Sequence, residues 1–135
     1  MERLSCAIPL DVTSLAAAQD EVEGFLAGQG IAPAVRERAR LVLEEIVVNL
    51  LLHGRFERRL PARLGVAIAA DAVLVTLDDA AAPFDPRAAA VDEASEAPRE
   101  TGGQGLRLVR RLAVIRGYGA LPDGWNRLEL AFRYG

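Results

Sequence analysis

The chain has 135 residues, one cysteine and a formal net charge of −3. That length suits a single domain over 1–135, which buries roughly two-thirds of its unfolded surface without a disulfide or metal staple, and the lone Cys6 fits a reducing cytoplasm. The acidic balance argues against a nucleic-acid binder, no apolar run approaches the roughly 20 residues that span a membrane, and Met1-Glu2-Arg3-Leu4 lacks the apolar core of a signal peptide.

Residues 3–10 partly alternate and read as a first strand, with Pro9 pointing to a sheet edge. Asp11 or Thr13 can cap a helix that runs to about Ala27 and stops at Gly28 and Gly30. Pro33 suits the first position of a second helix, which runs to Leu52 or His53 and ends at Gly54. After an arginine-rich turn (Arg55, Arg58, Arg59), strands are expected over 63–70 and 72–79, joined tightly at Asp71 and Ala72. Residues 80–101 lack clear periodicity, the mark of a functional or disordered loop. The run Thr101-Gly102-Gly103-Gln104-Gly105 opens a third helix, about 104–113. Strands over 114–119 and 126–133 follow, joined at Pro122, Asp123 and Gly124. Two hairpins imply an α/β (α+β) sandwich of two layers, a mostly antiparallel sheet with helices on one face.

The second helix is apolar around most of its circumference from Leu41 to Leu52, so it is expected to be largely buried. Glu45, Asn49 and His53 are spaced by four and form one polar stripe, with neighbours about 40° apart. A buried amide without partners costs on the order of 1–3 kcal/mol and a carboxylate more, so the stripe faces a ligand, a partner or a structural network. Glu44 has a cheaper explanation in a pair with Arg40. The glycines at 102, 103 and 105 precede an apolar-periodic helix and suit either a phosphate cradle or a hinge. No Lys-Ser/Thr follows them, so they are not a Walker A loop. The strand Val73–Leu77 ends in Asp78 and Asp79, and a carboxylate there can accept from an exocyclic amine or simply close a turn.

Taken in order, these segments resemble the GHKL (Bergerat-fold) ATPases, and more narrowly the anti-sigma-factor serine kinases of the RsbW and SpoIIAB type. Leu43 to Asn49, with the trailing His53-Gly54, resembles the N box of that family. Val75 to Pro86, with Pro83-Phe84-Asp85-Pro86, resembles its G1 box. Thr101 to Ala113 resembles the G2 box, and Asp123 to Leu128 the usual entry to the last strand. The resemblance implies a Bergerat ATP-binding fold and a mixed, mostly antiparallel sheet. It implies Glu45 as general base, Asn49 as the Mg²⁺ ligand and Asp79 as the adenine-binding carboxylate. Gly103, Gly105 and Leu106 would offer amides to the phosphates, beneath a lid of about 87–101. Ala81, Phe84, Thr101 and Gln104 fall within the same boxes as cofactor-binding positions.

Where the family usually has glycine, this chain has Ala81, which tolerates positive φ poorly. The implied function is a cytoplasmic protein kinase in a partner-switching system that regulates transcription. With ATP and Mg²⁺ it would phosphorylate a serine of a STAS-domain anti-anti-sigma protein. It would also bind a sigma factor, and the resemblance suggests a homodimer with no direct contact to nucleic acid or membrane. The alternative is a catalytically silent binding module of the same fold.

Overall fold

A computed structural model of the chain describes residues 1–84 and 101–135, with the backbone alone over 101–106. Five strands and three helices are present in the described residues: β1 (Arg3–Ile8), α1 (Val12–Gly28), α2 (Pro33–His53), β2 (Ala62–Ile68), β3 (Ala72–Asp79), α3 (Thr101–Leu112), β4 (Val114–Ala120) and β5 (Asn126–Arg133). They form one sheet in the order β1-β2-β3-β5-β4, with β1 at an edge as Pro9 suggested. All four pairings are antiparallel, so the expected mixture of directions is absent from the described strands. Short turns join β2 to β3 and β4 to β5, whereas β3 and β4, next to each other in sequence, run in the same direction on either side of β5.

Alternation along the strands sorts the two faces. Leu64 and Val66 of β2, Val75 and Leu77 of β3, and Leu128 and Leu130 of β5 are buried in a single core with residues of all three helices. The opposite face carries small and charged residues, among them Ser5, Gly65, Thr76 and Asp78. The helices therefore cover one face only, and the sandwich has the two layers expected.

Local signals place the helix ends. Asp11 caps α1 by accepting from the Ser14 amide at 2.7 Å. Pro33 opens α2, where an amide would lack an acceptor. An ion pair of Arg36 with Glu23 ties α2 to α1. Arg38 donates to the carbonyls of Leu112 (3.4 Å) and Arg133 (2.6 Å), which fastens α2 to the end of α3 and the end of β5. Arg40 pairs with Glu37 (2.7 Å) rather than with Glu44, because the i−3 carboxylate offers both of its oxygens to the guanidinium.

Two expectations change. α2 is less enclosed than its apolar sequence implied: Val42, Leu43 and Val47 are buried, but Leu50 and Leu51 are half-buried and Leu52 is 62% exposed. Among the described residues, three helices on one sheet face leave part of α2's circumference without a covering layer. α3 begins at Thr101, about three residues before the expected start, so the glycine run forms its first turns. Those are the turns in which the first four amides have no intrahelical acceptor.

At the end of α2, Gly54 donates to the Leu50 carbonyl at 3.0 Å with an ordinary φ of −64°. Glycine is needed there for room, since a Cβ would lie 2.5 Å from both that carbonyl oxygen and the Phe56 ring. Gly54→Ala should therefore lower stability by about 1–3 kcal/mol, read from denaturant unfolding.

Candidate functional site

The end of β3 separates its two carboxylates by face. Asp78 points to the outer face, where Arg127 of β5 binds it through two bonds of 2.7 and 2.9 Å and Arg63 of β2 lies 3.6 Å away. Although it lies on the open side of the sheet, Asp78 is only 4% exposed, and its charge is matched by these two guanidinium groups. Asp79 points to the inner face, in register with Asn126 of β5. It is buried, and Asp79 Oδ1 accepts from the Ala81 amide at 2.9 Å and from Asn126 Nδ2 at 3.2 Å.

Burial pushes the Asp79 carboxyl above its ordinary pKa, against the opposing pull of the Asn126 and Ala81 hydrogen bonds, while neighbouring Asp78 adds a further push upward. No arginine or lysine contacts it in the described residues. A buried carboxylate held by neutral donors alone is suited to accept a hydrogen bond from a neutral ligand.

The loop after β3 is fastened at three points. Ala81 is bound as above, the Ala82 amide donates to the Arg55 carbonyl just after α2 (2.7 Å), and the Phe84 amide donates to Tyr118 Oη on β4 (2.8 Å). Ala81 is itself buried, and no described non-glycine residue has a positive φ. The strain expected of alanine in the glycine position is therefore absent, because the loop turns with ordinary backbone angles. Phe84 is 56% exposed.

On α2, Glu45 and Asn49 are half-buried, and neither forms a hydrogen bond or ion pair with another described residue. The structural-network reading thus finds no partner for Glu45 or Asn49 among the described residues. His53 is exposed. Thr101, Gly103, Gln104, Gly105 and Leu106 lie in the first turns of α3, and their side chains fall outside the described set, as do residues 87–100 of the expected lid.

Asp79 and its loop are tied to the residue that follows α2, and α2 packs along α3, the helix with the glycine-rich start. A separate open groove of about 720 Å³ crosses the outer face. Gly65, Thr76 and Asp78 line it beside the turn at Leu121–Asp123. It contains none of the residues expected to bind nucleotide.

A family model described as the histidine kinase-like ATPase domain matches residues 8–116. The chain belongs to that family. The fold is shared with solved structures. A structure of the RsbU and RsbW domains of Rv1364c from Mycobacterium tuberculosis superposes with a TM-score of 0.66 and 14% identity. The match covers 99% of this chain and 33% of that one, so the chain spans about a third of that protein's length. The SiaB–SiaC complex from Pseudomonas aeruginosa gives a TM-score of 0.58 and 17% identity, over 96% of this chain and 88% of that one. No curated protein sequence is matched. Among the described residues of this ATPase-family domain, no helix is long and apolar enough to cross a membrane.

Sequence reading missed Asn126, which is only 2% exposed and bonds both Asp79 and Ala81. Its signal was available in the period-two series Asn126, Leu128, Leu130 and Phe132, which puts an amide on an otherwise apolar face. Tyr118 was missed as well, and no periodicity marks a hydroxyl that serves a distant loop.

Asp79 makes a prediction about pH. With its folded pKa raised, the carboxyl resists ionisation in the folded state but not in the unfolded one, so it lowers stability as pH rises through the folded value. Asp79→Asn keeps an oxygen for both donors and removes the buried charge. Urea unfolding should show the variant equal to the parent below about pH 4 and more stable at pH 7.

Proposed function

We propose that the domain binds Mg-ATP between α2, the loop after β3 and the start of α3, and transfers the γ-phosphoryl group to a protein serine. The observation that carries this reading is Asp79: a buried carboxylate, facing the helices, held by neutral donors on one oxygen. Such a group suits an exocyclic amine such as that of adenine. Asn49, half-buried and without a protein partner among the described residues, offers a hard amide oxygen that fits Mg²⁺ shared with nucleotide phosphates. Held there by Asn49, a divalent cation would supply charge neutralisation at the phosphates.

Glu45 lies one turn before Asn49 on the same helix stripe. As general base it would take the proton from the attacking serine hydroxyl, while positioning and charge neutralisation supply most of the acceleration. Gly103, among the first four amides of α3, would donate to the phosphates, whereas Gly105 and Leu106, which the resemblance also assigns there, lie past those four. Ala81, Phe84, Thr101 and Gln104 would complete the nucleotide surroundings. The acceptor class is a STAS-domain anti-anti-sigma protein, and the alternative partner is a sigma factor, in a cytoplasmic partner-switching system. The family match, the RsbW domain among the similar folds and the intact Glu45–Asn49 pair support this assignment.

Incubation with labelled ATP, Mg²⁺ and a STAS-domain protein encoded nearby should place label on a serine. Glu45→Ala should bind Mg-ATP as the parent does and transfer at least about 100-fold more slowly. Equal transfer by the variant would remove Glu45 as the base. ATP binding with no transfer by the parent protein would favour a silent binding module.

A further inference from the structure

Asn126 opens β5 directly opposite Asp79 and is almost completely buried. Its Nδ2 donates to Asp79 Oδ1 at 3.2 Å and to the Ala81 carbonyl at 2.7 Å. The Ala81 amide donates back to Asp79 Oδ1 at 2.9 Å, which closes a ring of three bonds. Within that ring the carboxylate cannot turn freely, because both donors converge on the same oxygen. Both hydrogen bonds of Asp79 use Oδ1, so Oδ2 is left to accept from a ligand. The carbonyl of Ala81 is also engaged, so the loop floor is held against the strand rather than presenting a second acceptor.

We propose that Asn126 is a positioning residue for nucleobase selection: its two amide hydrogens lock Asp79 and the Ala81 turn so that Asp79 Oδ2 accepts from a base that carries an exocyclic amine. This inference rests on the nucleotide-site reading above and adds the group that sets its selectivity. A hydroxyl or an aliphatic side chain could fill the same space, but neither has two donor hydrogens on one atom. Without the lock, the carboxylate is free to rotate or to pair with water. Discrimination between an amine and a carbonyl at that edge of the base then collapses.

The test compares ATP with inosine triphosphate, which bears a carbonyl where adenine has its amine. Calorimetry with Mg²⁺ gives both dissociation constants for the parent, Asn126→Ala and Asn126→Thr. The parent should prefer ATP by at least about tenfold, the scale of one hydrogen bond. Asn126→Ala should lose most of that preference through weaker ATP binding, with inosine triphosphate little changed. Asn126→Thr has a single hydroxyl proton and suits a strand, so it should give an intermediate ratio. It also supplies the result if the alanine variant does not fold.

Asp79→Asn turns an amide hydrogen toward the base and should shift preference to inosine triphosphate. A parent that binds neither nucleotide, or both alike, overturns the nucleobase reading and this inference with it. A parent that discriminates while the Asn126 variants keep its ratio, with both affinities lowered equally or unchanged, overturns the inference alone.

Discussion

The pairing of β3 with β5 is the constraint on which the site depends. Its register sets Asp78 opposite Arg127 on the outer face and Asp79 opposite Asn126 on the inner face. Because side chains alternate, a slip of one residue would exchange the two carboxylates. The charge matched by arginines would then face the helices, and the carboxylate held by neutral donors would face outward. Apolar residues guard against that slip: Val75 and Leu77 on β3 and Leu128 and Leu130 on β5 are buried together, and displacing one strand would expose its whole set. The packing of the core and the placement of the chemistry are thus fixed by the same ladder.

The two acidic residues also show how neighbours in sequence acquire different chemistry. Asp78 carries a structural charge, matched bidentately by Arg127 and supported by Arg63, whose guanidinium lies 3.9 Å over the Trp125 ring. Asp79 is buried without such compensation, and its carboxyl is raised in consequence. Folding thus tolerates an unfavourable ionisation at a place where a ligand would offset it, which is how functional sites commonly trade against stability.

Much of this arrangement could be read from the chain. Partial alternation over 3–10, the turns at Asp71 and at Pro122–Gly124, the cap at Asp11 and the proline at 33 located strands and helices, because each rests on short-range sterics or hydrogen bonding. The preference for Asp79 over Asp78 came from resemblance; the register puts Asp79 on the face the helices cover and Asp78 on the other. Other features depend on what lies nearby in space. The apolar girth of α2 overstated its burial, since hydrophobicity does not say how many layers will cover a helix. The concern over Ala81 assumed a positive φ that this loop does not adopt. Asn126 acquires meaning only when β5 is laid beside β3. The roles of Glu45, Asn49 and the glycine-rich turn are proposals, built on the resemblance and on the packing of α2 along α3.

The most direct measurement is an NMR titration of the parent protein with Mg-ATP, following the backbone amides and the side-chain amide of Asn126. Saturable shifts should appear at Ala81, Phe84 and the Asn126 side chain, with Gly65 and Thr76 of the outer groove left unmoved. Shifts confined to Gly65 and Thr76, or none at all at millimolar Mg-ATP, would contradict a nucleotide site on the inner face.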